Sequence, residues 1–222
     1  MRAPLVLGLA LGLAVSPTSL RAEPTAAVRS AIRGTVNART LYDDDADTFV
    51  TRGWVGLEVP LPVLARIAGD FAAYRTWALH DINKKPDGEN FITQMHDVRF
   101  TPGGAGPEGA FDLYFDIDLV WPFGSEGNIM RFAVVEARHR PDGGVDRIVA
   151  RLYGDSALLD DFRLTLEATG DDKASVVRFD SRVKVDGFFD TFFTLATYRR
   201  NVEWRIVKVI QNLEARVAGR AR

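Results

Sequence analysis

Six consecutive stretches of strand-like alternation, closed by one long helix with apolar residues every three or four positions, leave this chain few folds. The stretches run roughly over 90–100, 110–121, 128–140, 146–153, 158–168 and 175–186. Turn residues separate them, among them Pro141-Asp142-Gly143-Gly144, Gly154-Asp155 and Gly170-Asp171-Asp172. Connections this short impose antiparallel pairing, because a parallel crossover needs about a dozen residues or more.

The alternation assigns faces. Phe111, Leu113, Phe115, Ile117 and Leu119 share one phase, and Asp112, Asp116 and Asp118 the other. Val177, Phe179, Val183 and Val185 stand against Arg178, Asp180, Arg182 and Lys184, and Phe162, Leu164 and Leu166 against Arg163, Thr165 and Glu167. One apolar and one charged face describe an antiparallel sheet covered on a single side. The last segment supplies the cover. Phe192, Leu195, Arg199, Val202, Ile206, Val209, Leu213 and Val217 form one stripe of a helix predicted over 188–218, with Arg200, Arg205, Lys208, Gln211 and Glu214 on the polar side.

Upstream, a strand from Thr48 to Val59 ends at Pro60, Pro62 opens a short helix over 63–68, and Asp70 introduces a second over 71–79. The predicted class is therefore α+β: a curved antiparallel sheet of about seven strands, in β-α-α-β6-α order, around a long carboxyl-terminal helix. Residues 23–47 read as a leader, with a short helical stretch at Ala26–Ile32 and a solvated acidic turn at Asp43-Asp44-Asp45. That turn lacks the glycine and distal glutamate of an EF-hand.

The first 22 residues follow a different logic. Met1 and Arg2 precede an apolar run, Leu5–Val15, then Pro17 and small residues up to Ala22. This is the order of a signal peptide cleaved after Ala22, so the expectation is a periplasmic or secreted protein. The run is about half of the ~20 residues that span a bilayer. The chain has no cysteine, which excludes disulfides, cysteine zinc sites and thiol nucleophiles. Its stability must come from a core, which about 200 residues can build as one domain. Removing Arg2 and Arg21 takes the formal charge from −2 to −4, against a nucleic-acid partner.

With the element order in hand, the chain resembles the START-like superfamily (SRPBCC), which includes polyketide cyclase/dehydrase proteins and the birch-pollen-allergen fold. The resemblance rests on the opening strand ending at Glu58-Val59-Pro60, the paired short helices with Phe71-Ala72-Ala73-Tyr74-Arg75-Thr76-Trp77, and the final helix. It covers residues 48–218 and implies a helix-grip domain over 48–219. It also implies a cavity between the concave sheet face and the helix, used for lipids, sterols, polyketides or other hydrophobic molecules.

Candidate ligand-binding residues in such a cavity are Phe115, Leu119, Phe132, Phe162 and Phe179 from the strands, Trp77 from the short helices, and Phe192 from the helix stripe. Two charged residues join them. Arg199 interrupts the apolar stripe, and a buried guanidinium needs a partner. Glu136, in phase with Met130, Phe132 and Val134, offers one; a ligand is another; snorkelling past the helix edge to solvent is a third. Phe188, Phe189, Phe192 and Phe193 read either as core at the mouth of the sheet or as an apolar lip for transient membrane contact.

His80, His96 and His139 fall on separate elements and read as structural. No nucleophile elbow, phosphate loop or HExxH helix is present, and no motif implies a cofactor or metal. The leading function is a carrier for a hydrophobic, lipid-like ligand. The alternative is a cyclase/dehydratase-type enzyme using Arg199, Glu136, Tyr198 or a histidine as acid–base groups in the same cavity.

Overall fold

The computed structural model describes residues 36–84, 93–101, 110–117, 125–190 and 193–219. The signal segment and the Ala26–Ile32 helix lie outside them. Eight strands form one antiparallel sheet: β1 (Val36–Asp43), β2 (Thr48–Leu57), β3 (Thr93–Phe100), β4 (Ala110–Ile117), β5 (Ser125–His139), β6 (Val145–Leu152), β7 (Leu159–Gly170) and β8 (Ser175–Val185). Their spatial order is β1-β2-β8-β7-β6-β5-β4-β3. Among the described residues four helices accompany them: α1 (Leu61–Gly69), α2 (Tyr74–Trp77) after a 3-10 turn at Phe71–Ala73, α3 (Gly187–Asp190) and α4 (Leu195–Val217).

Strand β1 falls within the segment that the sequence presents as a leader. It is an edge strand paired only to β2, so its alternation is muted. Its buried position, Thr40, is polar and meets the Thr51 hydroxyl at 3.1 Å, a pairing that hydrophobic periodicity does not register. The sheet consequently has one strand more than the pattern suggests.

Helix α1 begins at Pro60-Leu61-Pro62, where proline's fixed φ and missing N–H suit a first turn. It packs on the β5–β6 turn so closely that a Cβ at Gly144 would lie 2.7 Å from the Ala65 Cβ. Gly143, at φ +80°, supplies the left-handed residue of that turn. Helix α4 starts later than the predicted residue 188. Thr194 is extended, and its hydroxyl accepts from the Thr197 N–H at 3.2 Å, an N-cap that starts the helix at Leu195. Its 23 residues span roughly 35 Å.

The curvature of the sheet is visible in two contacts made by neighbouring positions of α4. Thr40 of β1 reaches Glu203 at 3.5 Å, while Arg205 donates through Nη1 to the Thr93 hydroxyl of β3 at 2.8 Å. Strands β1 and β3 are the opposite edges of the sheet. One helix can touch both only if the sheet curls around it.

Candidate ligand-binding site

Under the amino-terminal half of α4 the curled sheet and the helix line a partly open cavity of about 290 Å³. Its floor comes from inward positions of six strands: Met95 of β3, Phe111 and Leu113 of β4, Met130 and Phe132 of β5, Ala150 of β6, Phe162 and Leu164 of β7, and Val183 and Val185 of β8. Leu158, Leu159 and Phe193, packed in one cluster with Met130, Phe132, Val183 and Val185, complete the apolar lining. Leu159 and Phe162 both face inward although three residues apart, which a strict period of two forbids. A register shift between Leu159 and Asp161 resolves this by adding a residue to the strand.

The roof is different in chemistry. Among the described lining residues the polar side chains are Thr93, Tyr198, Asn201 and Arg205, and three of these lie on α4. Tyr198 stacks on Phe49 with ring centroids 4.1 Å apart, and burial pushes its hydroxyl pKa far above the usual tyrosine range while Thr51 beside it pulls the other way. Asn201 is 7% exposed, and its Nδ2 has no hydrogen-bond partner among the described residues. Arg205 donates to both the hydroxyl and the carbonyl of Thr93, and its Nε is shielded from solvent. Burial lowers its pKa to about 10, so the guanidinium is still charged at neutral pH.

The sequence candidates are placed as follows. Phe132 and Phe162 line the cavity and meet edge-on at 4.6 Å. Trp77 is buried elsewhere, in a core with Val55, Leu57, Leu64 and Leu213. Phe179 is buried with its ring over Gly53, where a Cβ would lie 2.5 Å from the Phe179 Cζ, and it does not line the cavity. Leu119 and Phe192 lie outside the described residues, as does the Phe115 side chain.

Both charged candidates are corrected. Glu136 does not point inward: a register shift between Val134 and Glu136 reverses the phase of β5, and Glu136 accepts from Arg147 at 2.8 Å on the outer face. Arg199 is exposed and pairs with Glu203 one turn along at 3.1 Å. The inward stripe of α4 is Tyr198, Asn201, Val202, Arg205, Val209 and Leu213, turned by roughly 60° from the predicted stripe at 3.6 residues per turn. The stripe contains a misplaced charge, but the residue is Arg205. Only the register of α4 against the sheet distinguishes the two, although asparagine at 201 in mid-helix was a legible signal.

Of the four phenylalanines preceding α4, Phe193 is buried in the cavity wall and belongs to no exposed lip; the side chains of Phe188 and Phe189, and all of Phe192, lie outside the described residues. His80 pairs with Asp81, His96 contacts Asp116 at 2.9 Å, and His139 is exposed; none lines the cavity. Among the described residues no group of acidic and histidine side chains gathers to hold a metal, and no helix is long and apolar enough to cross a membrane.

No family model matches this sequence, and no curated protein does. Solved structures do match. A START superfamily protein from Mycobacterium smegmatis superposes with a TM-score of 0.50 at 14% identity, over 77% of this chain and 97% of that one. The fold is START-like. The Zhui aromatase/cyclase from Streptomyces sp. R1128 is similar at a TM-score of 0.48 and 13% identity, over 84% of this chain and 97% of its own. A protein from Thermus thermophilus matches at 0.49 and 10%, over 78% and 99%. At such identities the likeness is one of fold. The START-like helix-grip arrangement, a sheet curled around a carboxyl-terminal helix, agrees with the element order read from the sequence.

Proposed function

We propose that this protein is a carrier for a hydrophobic, lipid-like small molecule, held between the sheet and the amino-terminal half of α4. The observation that supports the reading is the apolar floor under a roof with a few polar groups, the usual composition of a small-molecule site. The volume is about twice the ~150 Å³ of an engineered cavity that accommodates benzene. Each ligand methylene transferred from water contributes about 0.8 kcal/mol. The signal-like order of residues 1–22 adds that the carrier works outside the cytoplasm.

The geometry favours binding over acid–base catalysis. Of the groups considered for proton transfer, Glu136 and Arg199 are on outer surfaces and the histidines do not line the cavity, which leaves Tyr198 with its raised pKa. Two measurements test the carrier reading. Organic extraction of the isolated protein followed by mass spectrometry is expected to release a stoichiometric apolar compound. The neutral dye Nile red is expected to bind the wild type and not Ala150→Leu, which fills the cavity. Absence of both extractable ligand and dye binding would overturn the proposal.

A further inference from the structure

The Asn201 side chain points to what the ligand carries at one end. We propose that the ligand ends in a carboxylate that accepts a hydrogen bond from the Asn201 amide beside the Arg205 guanidinium; this rests on the carrier reading above.

Asn201 lies seven residues into α4 and lines the cavity at 7% exposure, with its Nδ2 lacking a partner. Each of these features counts against asparagine on local grounds. It is a weaker helix former than leucine or alanine in a helix interior. Burying a polar group without a hydrogen bond is costly, and buried donors are satisfied in the great majority of cases. A leucine would continue the apolar wall made by Val202 and the strand residues below. Positions where local consistency fails in this way are those expected to serve a ligand. The acceptor that would satisfy this amide is the cavity's occupant.

The neighbours on α4 indicate the kind of acceptor. Asn201 and Arg205 are four residues apart, which places their Cβ atoms roughly 5–6 Å from each other on one face. Arg205 is anchored to Thr93 at the same end of the cavity, so its positive charge is fixed in position. Charge interactions strengthen in such poorly solvated surroundings. A carboxylate is acceptor-only with two oxygens, so it can accept the amide N–H while its charge lies beside the guanidinium. An alcohol or ketone of equal length would gain the hydrogen bond alone. The remainder of the molecule would extend over Met130, Phe132 and Phe162, away from the polar roof.

The test uses the full-length protein loaded with Nile red and titrated with decanoate or 1-decanol, which share a chain length, at neutral pH. Decanoate is expected to displace the dye at about a tenth of the decanol concentration, the advantage of a charge-assisted contact. Asn201→Leu is expected to weaken decanoate and decanol alike, since it removes the hydrogen bond that both accept, while raising the melting temperature because an unsatisfied buried donor is gone. Asn201→Asp, of the same shape but anionic, is expected to lose decanoate binding and keep decanol. Equal displacement by acid and alcohol would refute the carboxylate inference and leave the carrier reading standing. Undiminished displacement by both competitors in Asn201→Leu would equally refute the role of Asn201. Failure of Nile red and both competitors to bind would overturn the carrier reading and this inference together.

Discussion

The two halves of α4 rest on the same sheet but on different interiors. Under the carboxyl-terminal half, Val209, Ile210, Leu213 and Val217 meet Val55, Leu57, Leu61, Leu64 and Trp77, and side chains from α1 and α2 fill the space. Under the amino-terminal half neither α1 nor α2 contributes to the described lining, and the α4 residues over the cavity are Tyr198, Asn201, Val202 and Arg205. The difference comes from the two short helices between β2 and β3. They plug one end of the curl and, among the described residues, leave the other lined but unfilled. On the proposed reading, stability and binding fall to opposite ends of one helix.

The largest expected effect contrasts matched leucines. Leu213→Ala in the filled half should cost about 4–5 kcal/mol, and Leu164→Ala in the cavity floor about 2–3 kcal/mol, because the latter already lacks neighbours on one side. Urea denaturation measures both, and equal costs would break the comparison. Leu213→Ala should also leave Nile red binding intact.

Thr194→Ala removes the N-cap at the hollow end and should cost about 1 kcal/mol in the same assay. Because the cap fixes where α4 begins, the variant should also loosen the cavity roof, seen as faster amide exchange over residues 195–202 with little change at 209–217. Uniform acceleration along α4 would count against independent halves.

Arg199→Met should change stability by less than about 0.5 kcal/mol, as expected for an exposed ion pair, and leave dye binding unaltered. A loss of binding would return Arg199 to the interior and contradict the observed helix phase.

The smallest effect concerns pH at the β3 edge. Arg99, donating at 2.8 Å, holds the Asp97 carboxyl below its ordinary value of 3.8, with Arg75 assisting. A carboxyl depressed in the folded state stabilises the protein above that ordinary value and loses the contribution as pH falls through the folded pKa. The melting temperature of wild type should therefore decline more than that of Asp97→Asn between about pH 4 and 2. Parallel profiles would show that the pair contributes nothing.

Much of the fold was legible in the chain because it rests on periodicity. Period two over six stretches and a three-four stripe at the end specify a one-sided sheet and its cover, whatever the detailed packing. Glu136 shows where that reading stops. Its phase was extrapolated from Met130, Phe132 and Val134, and one extra residue at the β5 irregularity reverses it. Bulges depend on the partner strand, which local sequence does not contain. Phe132 and Phe162 were found because no irregularity separates them from the neighbours that set their phase.

What the sequence by itself determined is the inventory: alternating strands, their short turns, an amphipathic helix, no cysteine, and a signal-like start. These follow from local propensity and spacing. Tertiary structure alone decided which residues meet. Thr40 and Thr93, 53 positions apart in the chain, are brought to the same turn of α4, at Glu203 and Arg205, by the curl of the sheet. The same curl sets the rotation of α4, so that Arg205 faces the cavity and Arg199 the solvent. A helix with polar residues on several sides has no rotation of its own. It acquires one when its largest apolar contacts, Leu213 and Tyr198, settle into the cores that the sheet provides.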